Sequence, residues 1–175
     1  MKFLAIDPGP QYSAYVLVNQ KGGVLRHGYE ENERLKAVWP TADRLLVEMV
    51  ASYGMPVGQE IFETCLWIGR FIEAFGKPFV KVYRKEVKLA LCQSLRAKDS
   101  HVRQALLDLY GGKHHAVGNK KCPVCKGKKV VGRARLDCRV CKKTGWLYPP
   151  GPLAGIHGDQ WAALAVAATY LKLGR

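Results

Sequence analysis

Asp7, Glu48 and Asp159 stand where a carboxylate can do chemistry. Asp7 follows the apolar run Phe3-Leu4-Ala5-Ile6 and precedes the chain-breaking Pro8-Gly9-Pro10; Glu48 closes Leu45-Leu46-Val47; Asp159 follows Gly158 and opens an Ala-rich helix. An Asp before Pro-Gly ordinarily caps its own turn. What raises these three above that reading is their common setting at the ends of elements. In a sheet of mixed direction such positions can meet on one edge, where the carboxylates cannot all ionise without a cation between them. Hard oxygen ligands select Mg2+ or Mn2+, and two such ions about 3.5–4 Å apart clamp the attacking and leaving oxygens of a phosphodiester.

The cysteines carry a second, more local signal. Cys122-Pro123-Val124-Cys125 and Cys138-Arg139-Val140-Cys141 supply four thiolates in two knuckles, which suits tetrahedral Zn2+ with no open position and hence a structural role. Lys126-Gly127 and Thr144-Gly145, after the pairs, resemble the Cys-rich zinc centres of DnaJ-type chaperones, a likeness confined to this segment. About 30 residues cannot build a core of their own, so the metal would supply the folding energy. His114 and His115 are then surplus to the zinc and better placed to touch phosphate. Cys65 and Cys92, in apolar helical surroundings, read as inert core thiols.

Residues 113–143 hold eleven Lys or Arg against one acidic residue, Asp137, and dominate a formal net charge of +14. Such an excess points to a polyanion, most commonly nucleic acid. Lys128, Lys129, Arg133 and Arg135 would form a basic hairpin that grips phosphates without reading sequence. No apolar run approaches the roughly 18 residues of a membrane span, and the N-terminus enters a strand at once, so a cytoplasmic protein is expected, with no membrane partner.

The elements that must position these groups follow from periodicity. Residues 2–6, 13–18 and 24–29 read as three antiparallel strands, the last two joined by a turn at Lys21-Gly22-Gly23. A short helix or loop follows, then a strand over 44–49, loop chemistry over 52–58 and a long amphipathic helix over 59–75. Its aromatics Trp67 and Phe71 share a stripe with Leu66 and Ile68, which suits core or dimer packing. Tyr53, a loop aromatic beside Glu48, is instead suited to contacting nucleic acid. A strand over 79–83, a helix from Arg84, another capped by Asp99 or Ser100, and the final helix to Leu173 complete an α/β chain.

These residues resemble a known family. Ile6-Asp7-Pro8-Gly9, Val47-Glu48, Glu86-Val87-Lys88, Ala97-Lys98 before Ser100-His101-Val102, and Asp159 leading into Ala163-Leu164-Ala165 look like a RuvC-type Holliday junction resolvase. The bacteriophage branch is favoured by the Ser-Tyr-Gly-Met-Pro-Val-Gly and Pro-Gly-Pro-Leu segments at 52–58 and 150–153. The resemblance covers nearly the whole chain outside 120–147. It implies an RNase H-like mixed sheet flanked by helices: a core in two parts, 1–119 and 148–175, split by a zinc-knuckle insertion at 120–147. It further implies a homodimer making paired, Mg2+- or Mn2+-dependent incisions in four-way or branched DNA.

Carried over by position, Asp7 is the central metal ligand, Glu48 and Asp159 are its companions, and Lys88 lies at the scissile backbone. Arg84, Lys85 and Lys98 are further DNA contacts, and Tyr53 would wedge into the junction centre. The chain departs from the family twice. Asp159 matches the earlier of two acidic positions at the last helix while Ala162 occupies the later, leaving His157, Glu63 or Asp99 as the fourth ligand. Lys98 lies one residue early, with Asp99 in the lysine's place. Two other readings stay open: a junction-binding protein without catalysis, and an RNase H-like nuclease acting on RNA or RNA–DNA hybrids.

Overall fold

Strands buried on both faces build the centre of the sheet. β1 (Lys2–Asp7), β2 (Tyr12–Asn19) and β3 (Val24–Glu31) pair antiparallel, with Asp7 opposite Ala14 and Ala14 opposite Tyr29. Asn19 shapes the β2–β3 turn, its side-chain oxygen accepting the Lys21 and Gly23 N–H groups at 2.9 and 2.8 Å. After α1 (Asn32–Val38), β4 (Arg44–Met49) joins β1 in parallel, with Ile6 opposite Val47. α2 (Gln59–Phe75) then leads to β5 (Phe79–Tyr83), parallel to β4, followed by α3 (Arg84–Cys92) and α4 (Asp99–Leu109). The sheet order is β3-β2-β1-β4-β5.

Past α5 (Lys113–Ala116) come the short strands β6 (Lys120–Lys121), β7 (Val130–Val131), β8 (Leu136–Asp137) and β9 (Trp146–Tyr148), and the chain ends in α6 (Gln160–Lys172). This computed structural model describes all residues of 1–175 except Tyr53, Met55, Asn119, 133–135 and Arg175, together with the side chain of Val38.

The period of two sends the sheet's side chains to opposite faces. Leu4, Ile6, Tyr15, Leu17, Leu45 and Val47 pack on one face against Leu35 of α1 and Ile68, Phe71 and Phe75 of α2. The other face carries α6, which lies across β1, β2 and β4 and is buried nearly all round. Its run of alanines lets the helix sit close, with Tyr170 against Phe3 at 5.2 Å between ring centroids. Because alternation fixes this second face as that of Phe3 and Ala5, it is also the face of Asp7.

By packing, the chain divides into one unit of Met1–Leu106 with Ile156–Arg175 and another of Leu107–Gly155, wider than the insertion expected at 120–147. In the second unit β6 pairs with β9 and β7 with β8, both antiparallel. Its stem is closed by Gly151 and Leu153 N–H groups donating to the Val117 and Ala116 carbonyls at 3.1 and 2.8 Å.

Three expectations about α2 and its surroundings are corrected. Cys65 is exposed and Cys92 half-buried, so neither is a core thiol. Leu66 leaves the stripe of Ile68 and Phe71 and is 62% exposed, as Phe62 is at 64%. The buried line instead runs Thr64, Ile68, Phe71, Phe75, a spacing of three and four that leaves Phe62 and Leu66 on the opposite side of the helix. Among the described residues no helix is long and apolar enough to cross a membrane.

Candidate active site

The turn after β1 is fastened from below. Ser13 Oγ accepts the Gly9 N–H at 3.3 Å and donates to Asn32 Oδ1 at 2.7 Å, while Asn32 Nδ2 donates to the Gly9 carbonyl at 2.9 Å. A Cβ on Gly9 would lie 2.5 Å from the Tyr12 carbonyl oxygen, so only glycine fits there. Asn32 is fully buried, and its loss would strand partners on both sides. Asn32→Ala is therefore expected to destabilise the protein by about 2 kcal/mol in urea unfolding and to loosen the turn that carries Asp7.

Asp7 ends β1 and Glu48 is the last residue but one of the adjacent parallel β4, both on the α6 face, and Asp159 is the residue at the N-terminal end of α6. Burial first, then the charges of Glu48 and Asp159, push the Asp7 carboxyl up to about 8. Glu48 is raised as well, chiefly by burial, with Arg84 opposing. Glu48 is 8% exposed, and its Oε2 is buried without a hydrogen-bond partner. Crowded acids and an orphaned carboxylate oxygen together fit a hard divalent cation, which would be held by Asp7, Glu48 and Asp159.

Arg84 is drawn into the cluster. The first residue of α3, it lies 3.5 Å from Glu48 Oε1 and also bonds the Asp99 carboxylate. Burial works against its charge, yet Glu48 and Asp99 outweigh that and hold it more firmly protonated than a free arginine. Asp99, expected as a helix cap, is the first helical residue of α4, and the Lys98 carbonyl takes the first helix bonds instead. Asp99 shares a recess of about 100 Å³ with Arg84, Asp159 and Ala162. Of the three residues considered for a fourth ligand, it is the one whose charge reaches both Asp7 and Glu48.

The remaining expected residues fall as follows. Lys88 lies one turn beyond Arg84 on α3, and both line a second recess with Lys85. Lys98 and His157 are exposed, in the loops before α4 and α6. Glu63 accepts from Gln59 at 2.6 Å on the exposed side of α2, whose buried side lies on the sheet face opposite Asp7. Lys128 and Lys129 are exposed. Tyr53, Arg133 and Arg135 lie outside the described residues. One positioning contact had no sequence signal: His27 Nδ1, on β3, lies 2.8 Å from the Oε1 of buried Gln160, the neighbour of Asp159.

The cysteines of the second unit form a compact cluster. All four are buried and their sulfurs lie within 4.8 Å of one another, with Cys122–Cys138 at 3.8 Å and Cys125–Cys141 at 3.6 Å. A tetrahedron with bonds of about 2.3 Å to sulfur has edges of about 3.8 Å, so the four can hold a metal ion. Burial disfavours the Cys141 thiolate, but the Gly145 N–H and neighbouring thiols outweigh it and bring the thiol down to about 7. The knuckles meet at Gly127 and Gly145: both have positive φ, and a Cβ on Gly145 would lie 2.8 Å from the Gly127 carbonyl oxygen. His114 stacks on Tyr148 with ring centroids 4.0 Å apart.

No protein-family model matches the chain, and no curated protein matches its sequence. Among solved structures, that of Thermus thermophilus RuvC aligns with a TM-score of 0.57 and 17% identity over 99% of this chain and 97% of that one. T. thermophilus RuvC in complex with a Holliday junction substrate aligns with a TM-score of 0.56 and 17% identity over 100% and 95%. The mixed five-stranded sheet with its flanking helices is thus the RNase H-like fold expected.

Proposed function

We propose that, on this fold, the chain is a divalent-metal-dependent endonuclease acting on Holliday junctions or other branched DNA, a phage-type relative of RuvC. The observation that carries the reading is the Asp7 carboxyl, within electrostatic reach of both Glu48 and Asp159, together with the buried, unpartnered Glu48 Oε2. A fold neighbour that binds a Holliday junction supports the substrate class. Mg2+ or Mn2+, when bound, supplies the charge that lets water attack a phosphodiester and lets the 3′ oxygen leave.

The chain's own residues do the rest. The Ser13–Asn32 network fixes the Asp7 turn, and Arg84 balances Glu48 and Asp99. Lys88, one turn from Arg84, offsets charge developing on the phosphate. A zinc ion in the four-cysteine cluster folds the basic unit that holds a DNA arm by its phosphates. The homodimer belongs to the same reading, and the exposed Phe62 and Leu66 of α2 offer it apolar surface.

Cleavage of a labelled four-way junction in Mg2+ by the wild type and by Asp7→Asn tests this. Symmetric nicks by the wild type alone, with binding kept in the variant, are expected. A junction bound by both and cut by neither would replace the nuclease with a binding protein. Faster cutting of an RNA–DNA hybrid than of the junction would move the substrate class.

A further inference from the structure

The carboxylates are flanked unequally across the sheet. In register, Glu48 on β4, Asp7 on β1, Ala14 on β2 and Tyr29 on β3 form one row on the α6 face. Strands lie about 4.8 Å apart, so Tyr29 is about 10 Å from Asp7, with only an alanine between them. On the other flank, beyond Glu48, stand the cations Arg84 and Lys88. Cations on one flank and aromatics on the other match a nucleotide, whose phosphate and base lie on opposite ends.

Tyr29 does not stand alone. Tyr12, diagonal to it at the start of β2, stacks on it with ring centroids 5.6 Å apart and planes 10° from parallel. Both residues remain about half exposed, at 46% and 50%. They line a recess of about 320 Å³ together with Asp7, Gly9 and Asp159, so the rings and the acids face one continuous space. A diagonal aromatic pair can simply staple a hairpin. That role requires neither the half-exposed residues nor a shared recess with the two carboxylates.

We infer that the Tyr12–Tyr29 pair is a stacking platform for one unpaired or end-stacked DNA base, belonging to a nucleotide beside the phosphate held at Asp7 and Asp159. The site recognises a π-face, so it tolerates any base and favours substrates in which stacking is interrupted, as at a branch point. A continuous duplex offers it no free base face. The inference rests on the proposed nuclease reading for the position of the phosphate.

The test uses four-way DNA junctions carrying one abasic residue, scanned through the positions around the branch, and bound in Ca2+ to the full-length protein. Wild type is compared with Tyr12→Ala/Tyr29→Ala, with Tyr29→Ala alone should the double variant lose its melting transition, and with Tyr12→Phe/Tyr29→Phe. One abasic position should weaken wild type and the Phe variant about 10-fold. The Ala variant should bind the intact junction about 10-fold more weakly and be indifferent to that position. No sensitive position in wild type, or the same sensitivity in the Ala variant, overturns the platform.

Cleavage of the same junctions in Mg2+ reads the nuclease separately. Tyrosine-dependent base sensitivity without cutting leaves the platform and removes the nuclease; cutting without that sensitivity does the reverse. Failure of wild type to bind any junction overturns both.

Discussion

Asp7→Asn should make the metal-free protein more stable at pH 8, while abolishing cleavage. An isolated Asp titrates near 3.8, whereas in the fold burial, Glu48 and Asp159 push Asp7 up to about 8. Between those values the folded state holds a proton that the unfolded chain has released, so unfolding becomes easier as the pH rises from about 4 to about 8. Over that range each rise of one in pH removes about 1.4 kcal/mol if the site stays rigid. Relaxation of the site reduces the total to a few kcal/mol, which for a chain of this size is about 5–10 °C in Tm. Asparagine mimics the protonated acid and removes the dependence. Thermal melts of both proteins in EDTA, from pH 4.5 to 8.5, should therefore converge at the acidic end and separate at the basic end.

Mg2+ or Mn2+ should raise the wild-type Tm most at pH 8, where the cation holds Asp7 ionised against its neighbours, and should raise that of Asp7→Asn little. A flat wild-type profile, or equal metal stabilisation of both proteins, would remove the carboxylates as a cation site. Loss of activity alone could arise from a displaced turn; a variant that becomes more stable while it stops cutting cannot be explained that way.

Much of this site was legible because its signals are local. An apolar strand broken by Pro8-Gly9-Pro10 must leave Asp7 at its end, and strand alternation puts Glu48 in the equivalent place. The four-cysteine cluster was legible for the same reason, each knuckle being closed within a few residues. Pairings across long separations were not. Nothing in the sequence neighbourhood of Arg84 reveals that α4 brings Asp99 to it. Tyr12 and Tyr29 look like ordinary strand tyrosines until β2 and β3 are aligned, and a register irregularity at Leu17/Val18 moves that alignment. The error at Cys65 and Leu66 has another source: so many apolar residues lie on α2 that its periodicity admits more than one stripe, and only packing against the sheet selects Ile68 and Phe71.

Removal of the metal from the cysteine cluster should unfold the 113–143 region outright. Its buried cluster consists of the four thiols themselves, with Val131 the partly buried apolar residue packed against them. Its strands β6, β7 and β8 are each two residues long. Against this stands the mutual repulsion of eleven cations facing a single acid, Asp137. Structural zinc contributes about 10–16 kcal/mol of apparent binding energy in small cysteine sites, far more than such a segment can raise otherwise. Purified protein should contain one zinc per chain, and Co2+ in its place should give a tetrahedral thiolate spectrum. Cys138→Ser should lose the metal, and trypsin should then cut rapidly at Lys126, Lys128 and Lys129 while residues 1–106 stay protected. Junction binding by this variant should weaken and lose part of its salt dependence, since phosphate contacts set that slope. Zinc-free protein that resists trypsin at those lysines would show that the cluster needs no metal, and the basic hairpin would then require another source of order.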